Sequence, residues 1–268
     1  MSIPLTNRKI NLLQATSINM IDMVGIGPFV VMPFVVAQFN NGLFIWAWIF
    51  GAFTAFMDAM IWSELGAKYP LAGGTYNFHR IAFGERGGKL MSFLFVWQTS
   101  IQAPLVVASA SIGFAQYLTY IVPLDIWQQK IVSGGLVMLV FILLYRKIET
   151  IGKISVVMGT IVVLTIIWII ISGLLNQQHP VKLIPTGKES FFTYAFWAAV
   201  GQASVKTVYA YLGYYNVCHL GGEIKNPGKN FPRSIFISVF GIATLYLLMN
   251  ISVMGVMPWE LVKADDKY

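Results

Sequence analysis

The chain has 268 residues, 57% of them hydrophobic and only 11% charged, with a formal net charge of +7 and a mean hydropathy of +0.69. A water-soluble domain carries charge at roughly a quarter of its positions, so the unit of organisation here is the membrane span and not the soluble domain. The positive excess forms no basic run or basic helix face, which argues against nucleic acid as a partner, and the single cysteine, Cys218, permits no internal disulfide.

Seven spans are predicted, at about 11–36, 42–66, 90–118, 127–145, 154–175, 194–220 and 234–257, forming one membrane domain over residues 1–268. Arg8 and Lys9 precede the first, which is too long for a signal peptide and has no small-residue cleavage site after it. That span is interrupted near its middle at Gly25-Ile26-Gly27-Pro28, with Asp22 one turn before. An ionisable group inside a span is costly and marks function by default. Asp22 either takes up a proton or hydrogen-bonds unwound backbone. In the second span Asp58 and Glu64 read as partners of the basic loop that follows. In the third, Gln98 and Gln102 stand four apart on one helix face, able to reach a cavity or to bond a neighbouring helix.

The sixth span is interrupted at Tyr211-Leu212-Gly213-Tyr214, within a cluster of Tyr209, Tyr211, Tyr214 and Tyr215. Lys206, in its outer half, is placed to snorkel to the surface. Glu223, Lys225 and Arg233 are expected to form a cytoplasmic ion network around the end of this span, influencing gating without touching substrate. His79, His179 and His219 are scattered without metal-ligand spacing, and no buried nucleophile stands with a matching base. Neither an enzyme nor a cofactor is expected.

Connections after spans two, four and six carry Lys68, Arg80, Arg86 and Lys89, then Arg146, Lys147 and Lys153, then Lys225, Lys229 and Arg233. The alternate connections are poorer, with Lys130 in one and Lys182 and Lys188 in another. The positive-inside rule therefore puts the N-terminus in the cytoplasm of a cell-membrane protein. A transporter of two inverted repeats needs both. If spans one to five make the first, the second has only begun when the chain ends at Asp265-Asp266-Lys267-Tyr268. The expectation is a truncated chain that does not transport alone.

Direction decides what each break offers. Span one runs outward, so its outer half starts at mid-membrane near Pro28, a residue suited to the first helical position. The amides of Gly25, Ile26 and Gly27 then lack helical partners at a positive dipole end, which attracts a carboxylate. Span six runs inward, so its outer half ends at mid-membrane with open carbonyls near Tyr209 and Ala210, which suit an ammonium group. Together they offer a receptor for an α-amino acid backbone. The alternative for Gly25 and Gly27 is close helix packing.

These segments together resemble the amino acid permeases of the amino acid–polyamine–organocation superfamily. Gly25-Ile26-Gly27-Pro28-Phe29 resembles the family's Gly-x-Gly-x-Phe break. Glu64-Leu65-Gly66 with Pro70, Gly73-Gly74 and Tyr76 is similar to its motif after span two. Tyr209-Ala210-Tyr211-Leu212-Gly213-Tyr214, continued by Glu223-Ile224-Lys225-Asn226-Pro227 and Pro232-Arg233, resembles its span-six signature. The resemblance implies an all-α polytopic fold, part of a five-plus-five inverted repeat with discontinuous spans one and six. It implies substrate between those spans, Tyr209 as an aromatic gate, and Gly25, Ile26 and Gly27 as the carboxylate-binding backbone. Substrate-facing candidates are thus Gly25, Ile26, Gly27, Tyr209, Ala210, Tyr211, Gly213 and Gln102. The chain departs from the family at Ile26, where serine is common, at Gly222, which replaces the first acid of a Glu-Glu pair, and at span five, where Lys153 lies at the entrance. The expected activity is proton-coupled amino acid symport or exchange, with sodium the alternative ion and a fairly apolar pocket favouring neutral substrates. A seven-helix receptor and a membrane scaffold are the competing readings; the former is opposed by the cytoplasmic N-terminus and by the absence of lysine between Ser234 and Met257.

Overall fold

A computed structural model describes residues 8–25, 27–39, 42–146, 148–179, 183–184 and 191–258. Helix α1 (Leu12–Met23) opens at Asn11, whose side chain accepts the Gln14 amide at 2.9 Å while the Gln14 side chain accepts the Asn11 amide at 3.1 Å. This reciprocal cap satisfies two otherwise orphaned donors. Helix α2 (Gly27–Val36) follows after a gap, and a 3-10 turn at Gly42–Phe44 leads into α3 (Ile45–Lys68). Then come α4 (Thr75–Ala82), α5 (Gly84–Leu118), α6 (Ile126–Leu144), α7 (Ile148–Leu175) and α8 (Tyr194–Tyr211). Asp125 and Gln128 repeat the reciprocal cap at the start of α6. After α8 a 3-10 turn spans Asn216–His219, and α9 (Pro227–Val256) starts on a proline whose absent N–H costs nothing there.

Helices α3, α5, α6, α7 and α9 are long and apolar enough to cross a membrane. The chain is an all-α polytopic membrane protein. These five correspond to predicted spans two, three, four, five and seven. The starts differ: α5 begins at Gly84 instead of residue 90, and α9 at Pro227 instead of 234. Their first two turns are polar, with Glu85, Arg86 and Lys89 in one and Lys229, Asn230 and Arg233 in the other. A helix continues past the hydrocarbon wherever its backbone can still close bonds, whereas an apolar run marks only the part in lipid. Predicted span six ends as an α-helix at Tyr211, and its remainder is a turn plus one 3-10 turn. Gly213, at φ 125°, takes a conformation that continues no α-helix. Lys147, Lys182, Lys188 and the Asp265–Tyr268 end lie outside the described residues.

Helix α9 is the hub, packing on α1, α3 and α7, while α3 also packs on α8, α1 on α7, and α2 on α8. Trp48 of α3, Tyr211 of α8 and Tyr246 of α9 are all fully buried. Their rings meet edge-on or tilted, with centroids 5.3 to 5.9 Å apart, an arrangement suited to aromatic quadrupoles. Lipid gives apolar helices little reason to associate, so close backbone approach and interhelical hydrogen bonds carry more of the packing. Thr207 of α8 donates to the Ala47 carbonyl of α3 at 2.8 Å, and a side chain at Gly51 would run into that same threonine. Ser252 of α9 reaches the Ile170 carbonyl of α7 at 3.0 Å across Gly173. Helix α5 packs chiefly on α4 and α6.

One end of the bundle is tied by loop backbone. Ile10 pairs in parallel with Ile224 and Ala72 antiparallel with Leu220. The amides of Lys9 and Ile10 both reach the Glu223 carbonyl at 2.9 Å, and the Lys225 amide returns to the Ile10 carbonyl at 2.9 Å. The Gly73 amide donates to the His219 carbonyl at 3.0 Å. Gly74 lies so close to Cys218 and His219 that a Cβ would sit 2.8 Å from their backbone atoms. The residues before α1, between α3 and α4, and between α8 and α9 thus form a single clasp.

Candidate functional site

Helix α1 closes with the Val24 amide donating to the Met20 carbonyl at 2.8 Å. Helix α2 opens at Gly27, so Pro28 is its second residue instead of its first. The amides of its first turn have no intrahelical acceptor, and the positive end of the helix dipole points toward α1. A Cβ at Gly27 would meet nothing within 4 Å, and one at Gly25 only the Gly27 nitrogen at 3.9 Å. Helix packing therefore places no demand for glycine at either position among the described residues. Ile26 lies outside them. Pro33 withholds one further donor from the α2 ladder.

Helix α8 ends at Tyr211, and the Leu212 amide folds back to the Tyr209 carbonyl at 3.2 Å. That carbonyl, expected to be open, already has a donor. Ala210 belongs to the same last turn, whose carbonyls lie beyond the reach of the α-helical ladder. Tyr209 is 64% exposed. Tyr211 is different: it is fully buried, and its hydroxyl reaches the Trp48 carbonyl at 3.3 Å. Its ring belongs to the α3–α8–α9 core, which leaves only its backbone available to a ligand.

The segment after α8 meets the end of α1. A Cβ at Gly213 would lie 2.8 Å from the carbonyl carbon and oxygen of Asp22 and 2.9 Å from the Met23 nitrogen. Only glycine permits this backbone-to-backbone contact, and the positive φ requires glycine a second time. Asn216 donates its side-chain amide to Asp22 Oδ2. Tyr246 of α9 donates to the Met23 carbonyl at 3.0 Å, which fixes the last turn of α1 from the other side. The segment after α8 and helix α9 thereby hold the last turn of α1 from two sides.

Other residues singled out in the sequence fall elsewhere. Gln102 is exposed and accepts a hydrogen bond from Gln98, so it is tied to its own helix and to neither break. Lys206 reaches the Phe34 carbonyl in the last turn of α2 at 3.4 Å, where a cation complements the helix dipole. Glu223 and Lys225 act through main-chain groups in the clasp, and the Lys225 carbonyl accepts from the Asn230 side chain at 2.5 Å. Arg233 sits in the second turn of α9.

Two residues escaped the sequence reading. Asn216 is an unremarkable polar residue in a turn, and no signal singled it out. Asp58, expected to partner the basic loop, instead has an Oδ2 that accepts the Tyr214 hydroxyl at 2.7 Å and the Trp62 indole N–H at 2.9 Å. The spacing of Asp58 and Trp62, four apart on one helix, was a usable clue.

A family model described as amino acid permease matches residues 10–267. An uncharacterized amino acid permease of Bacillus subtilis is 23% identical over 253 residues, covering 94% of this chain and 57% of that protein. The aspartate-proton symporter of the same organism is 25% identical over 225 residues, 81% of this chain and 42% of that protein. The L-methionine/branched-chain amino acid exporter of Escherichia coli is 25% identical over 244 residues, 89% of this chain and 54% of that protein. The chain spans about half the length of the curated relatives it matches.

Proposed function

The chain belongs to the amino acid permease family, and on that footing we propose that it takes part in secondary active transport of amino acids by alternating access. The observation that carries this reading is the contact of Gly213 with the Asp22–Met23 backbone. It sets the segment that follows α8 beside the last turn of α1, which supports reading α1 and α2 as the halves of one crossing. Opposed dipole ends at one place suit a zwitterion: the substrate carboxylate lies at the Gly25 and Gly27 amides, and its ammonium group at the Ala210 carbonyl. The exposed ring of Tyr209 covers it. The chemistry is binding and release, without a covalent step.

Asp22 is the coupling carboxylate, placed to exchange a proton as the turn held by Asn216 moves. A relative named as a proton symporter supports a proton as the driving ion. Glu223, Lys225 and Arg233 steady the cytoplasmic clasp, and the molecule sits in a plasma or inner membrane with its N-terminus in the cytoplasm.

The test is uptake and binding of radiolabelled amino acids by the full-length protein in proteoliposomes, with competition across neutral, acidic and basic classes. Saturable binding competed best by neutral amino acids is expected, and binding of none would end the reading. Asp22→Asn preserves the acceptor for Asn216 and removes the charge. It is expected to abolish uptake driven by a pH gradient while leaving binding within about twofold; unchanged pH-driven uptake removes the coupling role.

A further inference from the structure

The segment that follows α8 has little hydrogen bonding of its own. Between Leu212 and Asn216 its internal main-chain bonds are Leu212 to Tyr209 and Asn216 to Gly213. Its position is set instead by side chains from two other helices. On one flank Asn216 is held by Asp22 of α1. On the other, Tyr214 is 1% exposed and donates its hydroxyl to Asp58 of α3. A carboxyl group within a crossing helix is tolerated only when donors surround it. Asp58 finds two on a single oxygen, the Trp62 indole from its own helix and the Tyr214 hydroxyl from the turn.

We propose that Asp58 is a positioning residue: through Tyr214 it fixes the turn that ends α8, and hence the Ala210 carbonyl, without touching substrate. The inference rests on reading the two breaks as an amino acid site. Asp22 and Asp58 act together as a two-sided clamp. Tyr214 adjoins Gly213, so displacing its hydroxyl moves the residue that abuts Asp22 and Met23. The expected cost is that of one hydrogen bond to a carboxyl, about tenfold in affinity.

The experiment uses the full-length protein in nanodiscs and a radiolabelled mixture of amino acids as the probe. Tyr214→Phe keeps the buried ring and removes only the hydroxyl; Asp58→Ala removes the acceptor; Asp58→Asn retains one. The first two are each expected to weaken apparent affinity about tenfold, the double variant no more than either alone, and Asp58→Asn to restore most of the loss. In parallel, the indole 15N–1H resonance of Trp62, assigned through Trp62→Phe, is expected to shift in Tyr214→Phe, because both donors share one oxygen. This signal needs no amino acid. Single variants within about twofold of wild type, or a double variant losing the product of the two effects, would overturn the proposal. A Trp62 resonance that shifts in Tyr214→Phe, found together with a wild-type protein that binds no amino acid, would sink the transport reading, and with it the role given to Asp58.

Discussion

Two glycines make opposite demands. Gly213 is held at φ 125° with its Cα against the backbone of Asp22 and Met23, and any side chain there meets both strain and main-chain atoms that cannot yield. Gly213→Ala is expected to cost about 2 kcal/mol or more, read as a lowered midpoint of thermal unfolding in detergent. Gly27 faces open space. Alanine is a better helix former than glycine, so Gly27→Ala is expected to leave the unfolding midpoint unchanged or slightly raised. If an amino acid carboxylate approaches that backbone, the same substitution weakens amino acid binding by about tenfold or more. Loss of stability without loss of affinity would return Gly27 to the role of a packing residue.

At the scale of helices, hydroxyl-to-carbonyl bonds join neighbours where glycine lets them approach. Tyr246→Phe removes the tie between α9 and the Met23 carbonyl while keeping the aromatic trio, and is expected to destabilise the fold by about 1 kcal/mol in the same unfolding assay. Helix existence was legible in the sequence because five apolar runs of membrane length correspond each to one long helix. Gly25, Gly27, Pro28 and Gly213 punctuate those runs close to where α1 and α8 end and α2 begins. Helix starts were not legible, since the polar first turns of α5 and α9 look like loop. Pairings across the bundle were not legible either. Tyr214 and Asp58 lie 156 positions apart, and Asn216 and Asp22 lie 194 apart. Tyr211 and Tyr214 stood in the same tyrosine cluster, yet one lends its ring to the core and the other its hydroxyl to a carboxyl. Such a division depends on which helix lies opposite, and a one-dimensional pattern carries no such information.

For the molecule as a whole, the basic residues mark the end where the clasp lies, with Arg8, Lys68, Arg80, Lys225 and Lys229 all near it in sequence. A fluorescent protein fused at the N-terminus is expected to mature, and alkaline phosphatase fused after Asn176 to be active, as a cytoplasmic N-terminus requires. The opposite pattern would invert the dipole argument for both breaks. The clasp also encloses the chain's single thiol. Cys218 is 1% exposed, 3.6 Å from the Trp62 carbonyl, and would lie 3.1 Å from a Cβ at Gly66. A maleimide is expected to react with that sulfur only when the segment holding it parts from α3, which slow labelling of the folded protein would show. The native chain therefore carries its own clock: each maleimide captured would record one moment when that seam had opened.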